Sequence, residues 1–242
     1  MISNTQVQNL SDLTILLPTL NEEASIRKVL DEIEELPFPC QVLVIDGLSR
    51  NGTLEIAQSK GASVLLEHRR GKGIAVRSAL GLVRTPYIIM VDADYTYPMR
   101  YIGEIYELLR EESYDVVVGY RQLKERGSMS LTNAFGNFIL SSLASVLFGH
   151  RIYDVCSGMW GFRRETLDRF HLTSKGFTLE ADLFTNSIKS NCRMFQIPVD
   201  YRGRLEGGKA KLKLSDGFRI AWFLIKRRII WLRVKEIESC AY

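Results

Sequence analysis

The stretch YIIMVDADYTYP, residues 87–98, sets two aspartates, Asp92 and Asp94, directly behind an oily run. A β-branched apolar run of this length reads as a strand buried on both faces, the form strands take in parallel sheets. Ionised carboxylates are rarely buried alone, because the loss of hydration is too costly. The two acids therefore belong where the strand leaves the sheet and meets water, a cation or a ligand. In open α/β sheets that carboxyl end is the ligand-binding edge.

Working outward, residues 13–17 form a strand ending at Pro18, and Asn21-Glu22-Glu23 opens a helix with the apolar stripe Ile26, Val29, Leu30 and Ile33. Pro37 and Pro39 stop that helix. Residues 41–45 make a second strand, closed by DGLSRNGT, in which Thr53 can cap a short helix through Ser59. A strand at 63–66, the loop HRRGKG, a helix near 74–83, the strand 86–91, a helix near 99–110 and a strand at 115–119 follow. Such alternation predicts a mostly parallel, Rossmann-like sheet with helices on both faces. The second half is less regular. A helix is expected over 131–148, with Phe135, Phe138, Ile139, Ser142 and Leu143 on one face, then a strand at 159–162, a helix over TLEADLFTNSIKS and a strand at 195–201. A basic helix near 216–235 closes the chain. The expected organisation is an α/β domain over 1–215 and a C-terminal basic amphipathic helix over 216–242.

Composition excludes little but bounds the answer. The chain has 242 residues, 46% hydrophobic and 25% charged, ordinary values for a globular protein. A net charge of +4 gives no reason to expect nucleic acid. The excess is local, since Asp216 is the only acid between Lys209 and Lys235. Cys40, Cys156, Cys192 and Cys240 form no CxxC pair, which argues against a zinc site and fits a reducing compartment. The N-terminal MISNTQVQNLSDL lacks a secretory pattern, and no run reaches the roughly 18 consecutive apolar residues expected of a membrane span. Any membrane contact is expected to be peripheral, on the cytoplasmic face.

Three strand ends carry polar residues: Asn21-Glu22-Glu23, Asp46, and Asp92-x-Asp94. Singly, each has a structural explanation in helix starts and turns. Together they line acids along one sheet edge. Carboxylates spaced i, i+2 on a loop can hold magnesium or manganese, which fills its remaining positions with diphosphate oxygens and water. GKGIAV lacks the third glycine of GxGxxG and no GxxxxGK[ST] occurs, so dehydrogenase and P-loop readings lose support. His68, His150 and His171 are dispersed and read as surface or structural. Trp160, Phe162 and Phe177 read as core, with a ligand contact for Trp160 as the alternative.

ILLPTLNEEASI, VLVIDGLSRNGT, RRGKGIAVRSAL, VDADYTYP and DVCSGMWGFRRETL occur in one order, followed by YRGRLEGGKAKL. Over roughly residues 13–217 this series resembles family 2 glycosyltransferases of the GT-A fold, above all the dolichol-phosphate mannose synthase group and its archaeal polyprenyl-phosphate relatives. The resemblance implies a nucleotide-sugar pocket built by Pro18, Asn21, Glu22, Asp46, Lys72 and Asp92. It implies a divalent metal, Mg2+ or Mn2+, on Asp92 and Asp94. It places Arg121, Asn137, Arg202, Arg204 and Lys211 on acceptor and diphosphate charge, with Asp94, Arg121 and Glu180 taking part in transfer. The implied partners are a nucleotide-sugar donor, a polyprenyl or dolichyl phosphate and a membrane surface, with a membrane partner subunit as the alternative anchor. Asp46-Gly47 stands where many such synthases have two acids, Thr96 where a glutamine is common, Asn133-Ala134 where a basic pair is, and Ala210 where a serine is. These departures leave the donor open between GDP-mannose and UDP-glucose or UDP-N-acetylglucosamine.

A lipid monophosphate, with a second pKa of about 6 by comparison with phosphoserine, is already a dianionic nucleophile at neutral pH. An inverting transfer to it needs no general base, only alignment of two anions and stabilisation of the departing diphosphate. FRIAWFLIKRRIIWLRVK, residues 218–235, has the composition of an interfacial helix, with Trp222 and Trp231 at headgroup depth and Lys226, Arg227 and Arg228 on anionic lipid. The alternatives are a helix packed on the catalytic domain, a different acceptor, a nucleotidyltransferase, and an inactive glycosyltransferase-like binding subunit.

Overall fold

The computed structural model describes residues 11–125, 128–205 and 214–240. Its strands are β1 (Leu13–Thr19), β2 (Gln41–Asp46), β3 (Ser63–Leu66), β4 (Tyr87–Val91), β5 (Val116–Lys124), β6 (Met159–Arg163) and β7 (Met194–Tyr201). Its helices are α1 (Glu23–Glu34), α2 (Thr53–Ser59), α3 (Lys72–Leu80), α4 (Tyr101–Arg110), α5 (Leu131–Phe148), α6 (Arg164–Asp168), α7 (Leu179–Lys189) and α8 (Leu214–Cys240). The strands form one seven-stranded sheet in the order β3-β2-β1-β4-β6-β5-β7. Pairing is parallel throughout except where β6 runs against β4 and β5.

β4 shows why an unbroken apolar run suits this position. Ile89 and Val91 face a core shared with α1, α2 and α4, while Ile88 and Met90 face a second core shared with α3, α5, α7 and α8. Two-residue alternation sends successive side chains to opposite layers, and both layers are dry. β2, β1 and β4 lie side by side and parallel, so their carboxyl ends open along one edge, with Thr19 level with Asp46. That is the edge expected of the acids.

Several expectations need correction. The short helix α6 was not anticipated, five residues being too few for a periodic signal. β5 runs beyond Gly119 because it pairs with β7 along its length. Thr53 is not the cap of α2. Its hydroxyl donates to Asn51 Oδ1 (2.5 Å) and accepts from the backbone N–H of Glu22 (2.9 Å), tying the start of α1 to that of α2. Trp160 is fully buried, its indole N–H donating to the Ser157 carbonyl (2.7 Å), and cannot touch a sugar. Phe177 instead lines the cleft described below.

The largest departure concerns α5. Its 18 residues contain no charged side chain, and the helix is long and apolar enough to cross a membrane by length and composition. Asparagines, serines and a threonine interrupt the apolar run and hid this from a search for consecutive apolar residues. Its periodic stripe faces outward rather than into the core: Phe135 is 66% exposed and Phe138 67%, with Leu131, Ile139 and Val146 also exposed. Leu140, Ser141, Ala144 and Phe148 make the inward face, beside α8. The basic helix α8 begins at Leu214, and its buried Ile220 and Leu224 belong to the same core as α5.

Candidate active site

Two loops leave the carboxyl edge from β1 and β2 and are laced together. Asn21, in the left-handed region at φ 53, accepts from the Arg50 N–H through Oδ1 (2.8 Å) and donates its own N–H to Ser49 Oγ (2.7 Å). Glu22 is buried and accepts from Ser25 Oγ (3.1 Å), whose hydroxyl also reaches the Ala93 carbonyl (2.9 Å). The β1 loop thus braces the DAD turn. Asp46 lies under the cleft floor, 1% exposed. One of its oxygens accepts from the Ser49 N–H (2.8 Å), and Oδ2 is buried without a hydrogen-bond partner. An unpaired buried acceptor is unusual enough to mark a place where a ligand donor fits.

The DAD turn follows β4. The Asp92 N–H donates to the Gly158 carbonyl (3.1 Å), and Tyr95 takes the left-handed conformation at φ 66 that lets the chain double back. Asp94 Oδ1 accepts from the Thr96 hydroxyl (2.5 Å) and N–H (3.2 Å), and Oδ2 pairs with Arg204. Lys72 Nζ lies 2.5 Å from Asp92 Oδ1 and 2.6 Å from Glu180 Oε1, joining α3, β4 and α7 in one triad. Burial disfavours the Lys72 ammonium, but the two carboxylates outweigh it and hold its pKa above the usual lysine range. Burial raises the Glu180 pKa, and Lys72 only partly offsets it. Glu180 is held by Lys72 at 2.6 Å.

The glycines of RRGKG set that lysine. Gly71 sits at φ 129, and a Cβ there would collide with the Lys175 carbonyl; one on Gly73 would lie 2.6 Å from the Ser174 carbonyl oxygen. The start of α3 is thus pressed against the backbone of residues 174–176, a contact only glycine permits.

These elements surround a cleft of about 1300 Å3. Pro18, Asn21, Glu22, Lys72, Asp92, Asp94, Arg121, Asn137, Glu180 and Arg204 all line it, as inferred from sequence. Two inferred residues among those described do not. Asp46 lies beneath the lining, between Ile45 and Gly47. Arg202 is a correction: its guanidinium pairs with Glu32 of α1 and lies 4.7 Å over the Tyr95 ring, so it buttresses the DAD turn from behind. Lys211 lies outside the described residues. Arg121 lines the cleft, yet its guanidinium is committed to Asp154 in a fork, Nε–Oδ2 2.5 Å and Nη2–Oδ1 2.7 Å. Burial alone would depress the Arg121 pKa; Asp154 reverses this and holds it well above the usual range. Asn137 favours the ionised form of the same carboxylate, and its own Oδ1 is buried without a partner.

Sequence reasoning passed over Arg50, Arg69 and Arg70 and read His68 as surface or structural, yet all four line the cleft. The signal of His68, Arg69 and Arg70 was present in HRRGKG as a basic loop after a strand, and Arg50 lies in the DGLSRNGT turn. Asp154 and Tyr97 were also missed. Tyr97 is 1% exposed and its hydroxyl accepts from the Gly158 N–H (2.8 Å).

Among the described residues, no group of three or more His, Cys, Asp and Glu side chains could hold a metal ion. Asp92 and Asp94 fit a cation that takes its other ligands from diphosphate and water, and do not fit one requiring a complete protein cage.

An α/β sheet with a DxD turn at its carboxyl edge, opening on a cationic cleft, is the GT-A arrangement of sugar-transferring enzymes. The chain belongs to glycosyl transferase family 2, whose model matches residues 14–170. It is 35% identical to glycosyltransferase AglJ of Haloferax volcanii over 88% of this chain and 71% of that protein. It is 34% identical to the dolichyl-phosphate hexose transferase of the same organism, over 89% of this chain and 93% of that protein. Its fold matches glucosyl-3-phosphoglycerate synthase from Mycobacterium tuberculosis, solved with Mn2+, UDP-glucose and phosphoglyceric acid. That match has a TM-score of 0.72 at 20% identity, over 92% of this chain and 82% of the other, and at that identity concerns the fold alone.

Proposed function

We propose that this glycosyltransferase moves a hexosyl unit from a nucleotide sugar to a polyprenyl or dolichyl phosphate at a membrane surface, on the cytoplasmic side. The observation that carries this reading is where the cleft ends. Residues of α5 (Thr132, Asn133, Gly136, Asn137, Leu140) and of α8 (Gly217, Ile220) line it. The same two helices turn Phe135, Phe138, Phe218 and Trp222 outward, exposed. A phosphate entering between them reaches the cleft while its isoprenoid chain stays with apolar side chains. The relative named dolichyl-phosphate hexose transferase supports that acceptor.

In this reading the nucleoside lies over the Pro18–Glu22 and 45–50 loops, where Asp46 Oδ2 takes a ribose or base donor. Asp92 and Asp94 would hold Mg2+ or Mn2+, which when bound neutralises charge on the diphosphate. Lys72 and Arg204 bring cationic charge to the same turn, and Arg70 adds more from the adjoining wall, while Arg69 is forked onto Glu67. A phosphate oxygen attacks the anomeric carbon from the face opposite the diphosphate. The new C–O bond forms as the old one breaks, the configuration inverts, and the nucleoside diphosphate departs. No proton needs to be removed from a dianionic phosphate.

Incubating the purified protein with labelled UDP-glucose, UDP-N-acetylglucosamine and GDP-mannose, with and without a polyprenyl phosphate, tests the proposal. Label should enter the lipid phase with one donor only; transfer to a soluble hydroxyl acceptor but not to the lipid would overturn the acceptor. Calorimetric titration with UDP and GDP in the presence of Mn2+ should show one base preferred by about tenfold or more, as a buried unpaired acceptor discriminates donors. Chelating the metal should abolish that binding preference together with transfer.

Membrane attachment is assigned to α5 and α8 jointly. Replacing Phe135, Phe138 and Trp222 by Ser is expected to weaken co-sedimentation with anionic vesicles by about tenfold or more, given the apolar area each exposes. Unchanged co-sedimentation would place the contact elsewhere and favour a membrane partner subunit.

A further inference from the structure

Arg227 sits in the basic run of α8 but does not face outward with its neighbours. Its guanidinium turns inward to the carboxylate of Asp182, on α7, which is 0% exposed. Arg227 Nη2 also reaches the His171 carbonyl (3.1 Å) and Thr173 Oγ1 (3.2 Å), and its Nε is buried without a partner. This corrects the expectation that Lys226, Arg227 and Arg228 meet lipid together. Lys226 is exposed, Arg228 lies 5.0 Å over the Trp231 ring, and Arg227 is half-buried with its guanidinium turned to Asp182.

Asp182 is a hub. Its Oδ2 accepts from the N–H groups of Thr173 (2.6 Å) and Ser174 (2.7 Å), and its Oδ1 accepts from Asn186 Nδ2 (2.9 Å) as well as from Arg227. The segment it organises is the one against which the start of α3 is pressed. The Ile74 N–H donates to the Lys175 carbonyl (3.3 Å), and Gly71 and Gly73 leave room for the 174–175 carbonyls. Between those glycines lies Lys72, held to Asp92 and to Glu180, which stands two residues before Asp182 on α7. Packed, hydrogen-bonded groups therefore run without a gap from α8 to the cation at the DAD turn.

We propose that Arg227 and Asp182 are a positioning pair that couples the seating of α8 to the placement of Lys72 and Glu180 in the cleft. A helix engaged by a membrane keeps Arg227 in place, Asp182 then holds residues 173–175, and those fix the turn that aims Lys72. The inference rests on the reading of the cleft as the sugar-transfer site, but the pair is testable apart from it.

The test compares the full chain with its Arg227→Met and Arg227→Lys variants. Hydrogen exchange is expected to quicken roughly tenfold or more at the amides of Thr173, Ser174 and Ile74 in Arg227→Met, because a buried carboxylate loses its counter-charge. Exchange in α4 should not change. The kcat for transfer to polyprenyl phosphate should fall about tenfold, with KM for the nucleotide sugar within about twofold and vesicle co-sedimentation unchanged. Arg227→Lys, which keeps the charge but not the fork, should recover part of both signals. Unaltered exchange at 173–174 and 74 in both variants overturns the pair. A kcat that falls only in step with lost vesicle binding overturns the coupling and leaves α8 a plain anchor. If the wild-type chain transfers no sugar, the site reading falls while the exchange result still decides the pair.

Discussion

Asp92→Asn and Asp94→Asn are each expected to lower transfer by roughly 10²–10³-fold, the scale of losing one preorganised electrostatic contact in a reaction that builds charge on a leaving group. Each change removes one negative charge and little volume. Lys72 keeps Glu180 as its counter-ion when Asp92 is neutralised, and Asp94→Asn can still accept from Thr96 while Arg204 lines the open cleft. The fold should therefore survive, with a melting temperature near that of wild type. The two changes are also expected to weaken Mn2+-dependent nucleotide binding in a calorimeter, a readout independent of turnover. Wild-type rates in Asp94→Asn with unchanged metal dependence would remove this pair from the reaction.

Gly158→Ala is expected to reduce transfer by roughly 10²-fold, although the glycine itself need not touch substrate. A Cβ at this position would collide with the Asp92 carboxylate, and no flexible side-chain end is available to yield except that of Asp92 itself. The carboxylate must swing away, which breaks its contact with Lys72 and misplaces the first acid of the DAD turn. The surrounding strand pairing, from Met90 against Trp160 to Val91 against Met159, does not depend on that side chain. Circular dichroism and thermal melting should show a folded protein with at most a modest loss. The decisive comparison is the double variant Gly158→Ala/Asp92→Asn. If both act through the same carboxylate, the double variant should be no worse than Asp92→Asn alone, whereas additive losses would assign Gly158 a separate role.

The chemistry of the site was legible because it is local. An apolar run followed by DAD, an NEE after a strand and a glycine-flanked lysine each sit where the chain leaves the sheet, and parallel pairing of β3, β2, β1 and β4 brings those exits together. The partners of the arginines were not legible. Arg121, Arg202 and Arg204 look alike in a string of letters, yet one is forked to Asp154, one is tied to Glu32 behind the turn, and one reaches Asp94. Their partners lie 33 to 170 residues away in sequence, so no spacing rule could sort them.

What the sequence by itself determined is the alternating α/β architecture, the edge where the acids gather and the family to which the chain belongs. Those follow from hydrophobic period, strand length and residue type, properties carried by segments of a few residues. Only the tertiary structure decided which way helices face and which charges are spent internally. The stripe of Phe135, Phe138 and Ile139 has the period of a core-facing helix, yet α5 packs through Leu140, Ala144 and Phe148 and turns that stripe outward. Arg227 has the company of a lipid-facing cation, yet it is drawn inside by a carboxylate on another helix. Periodicity tells that a helix has faces; burial depends on what the rest of the chain places beside each one.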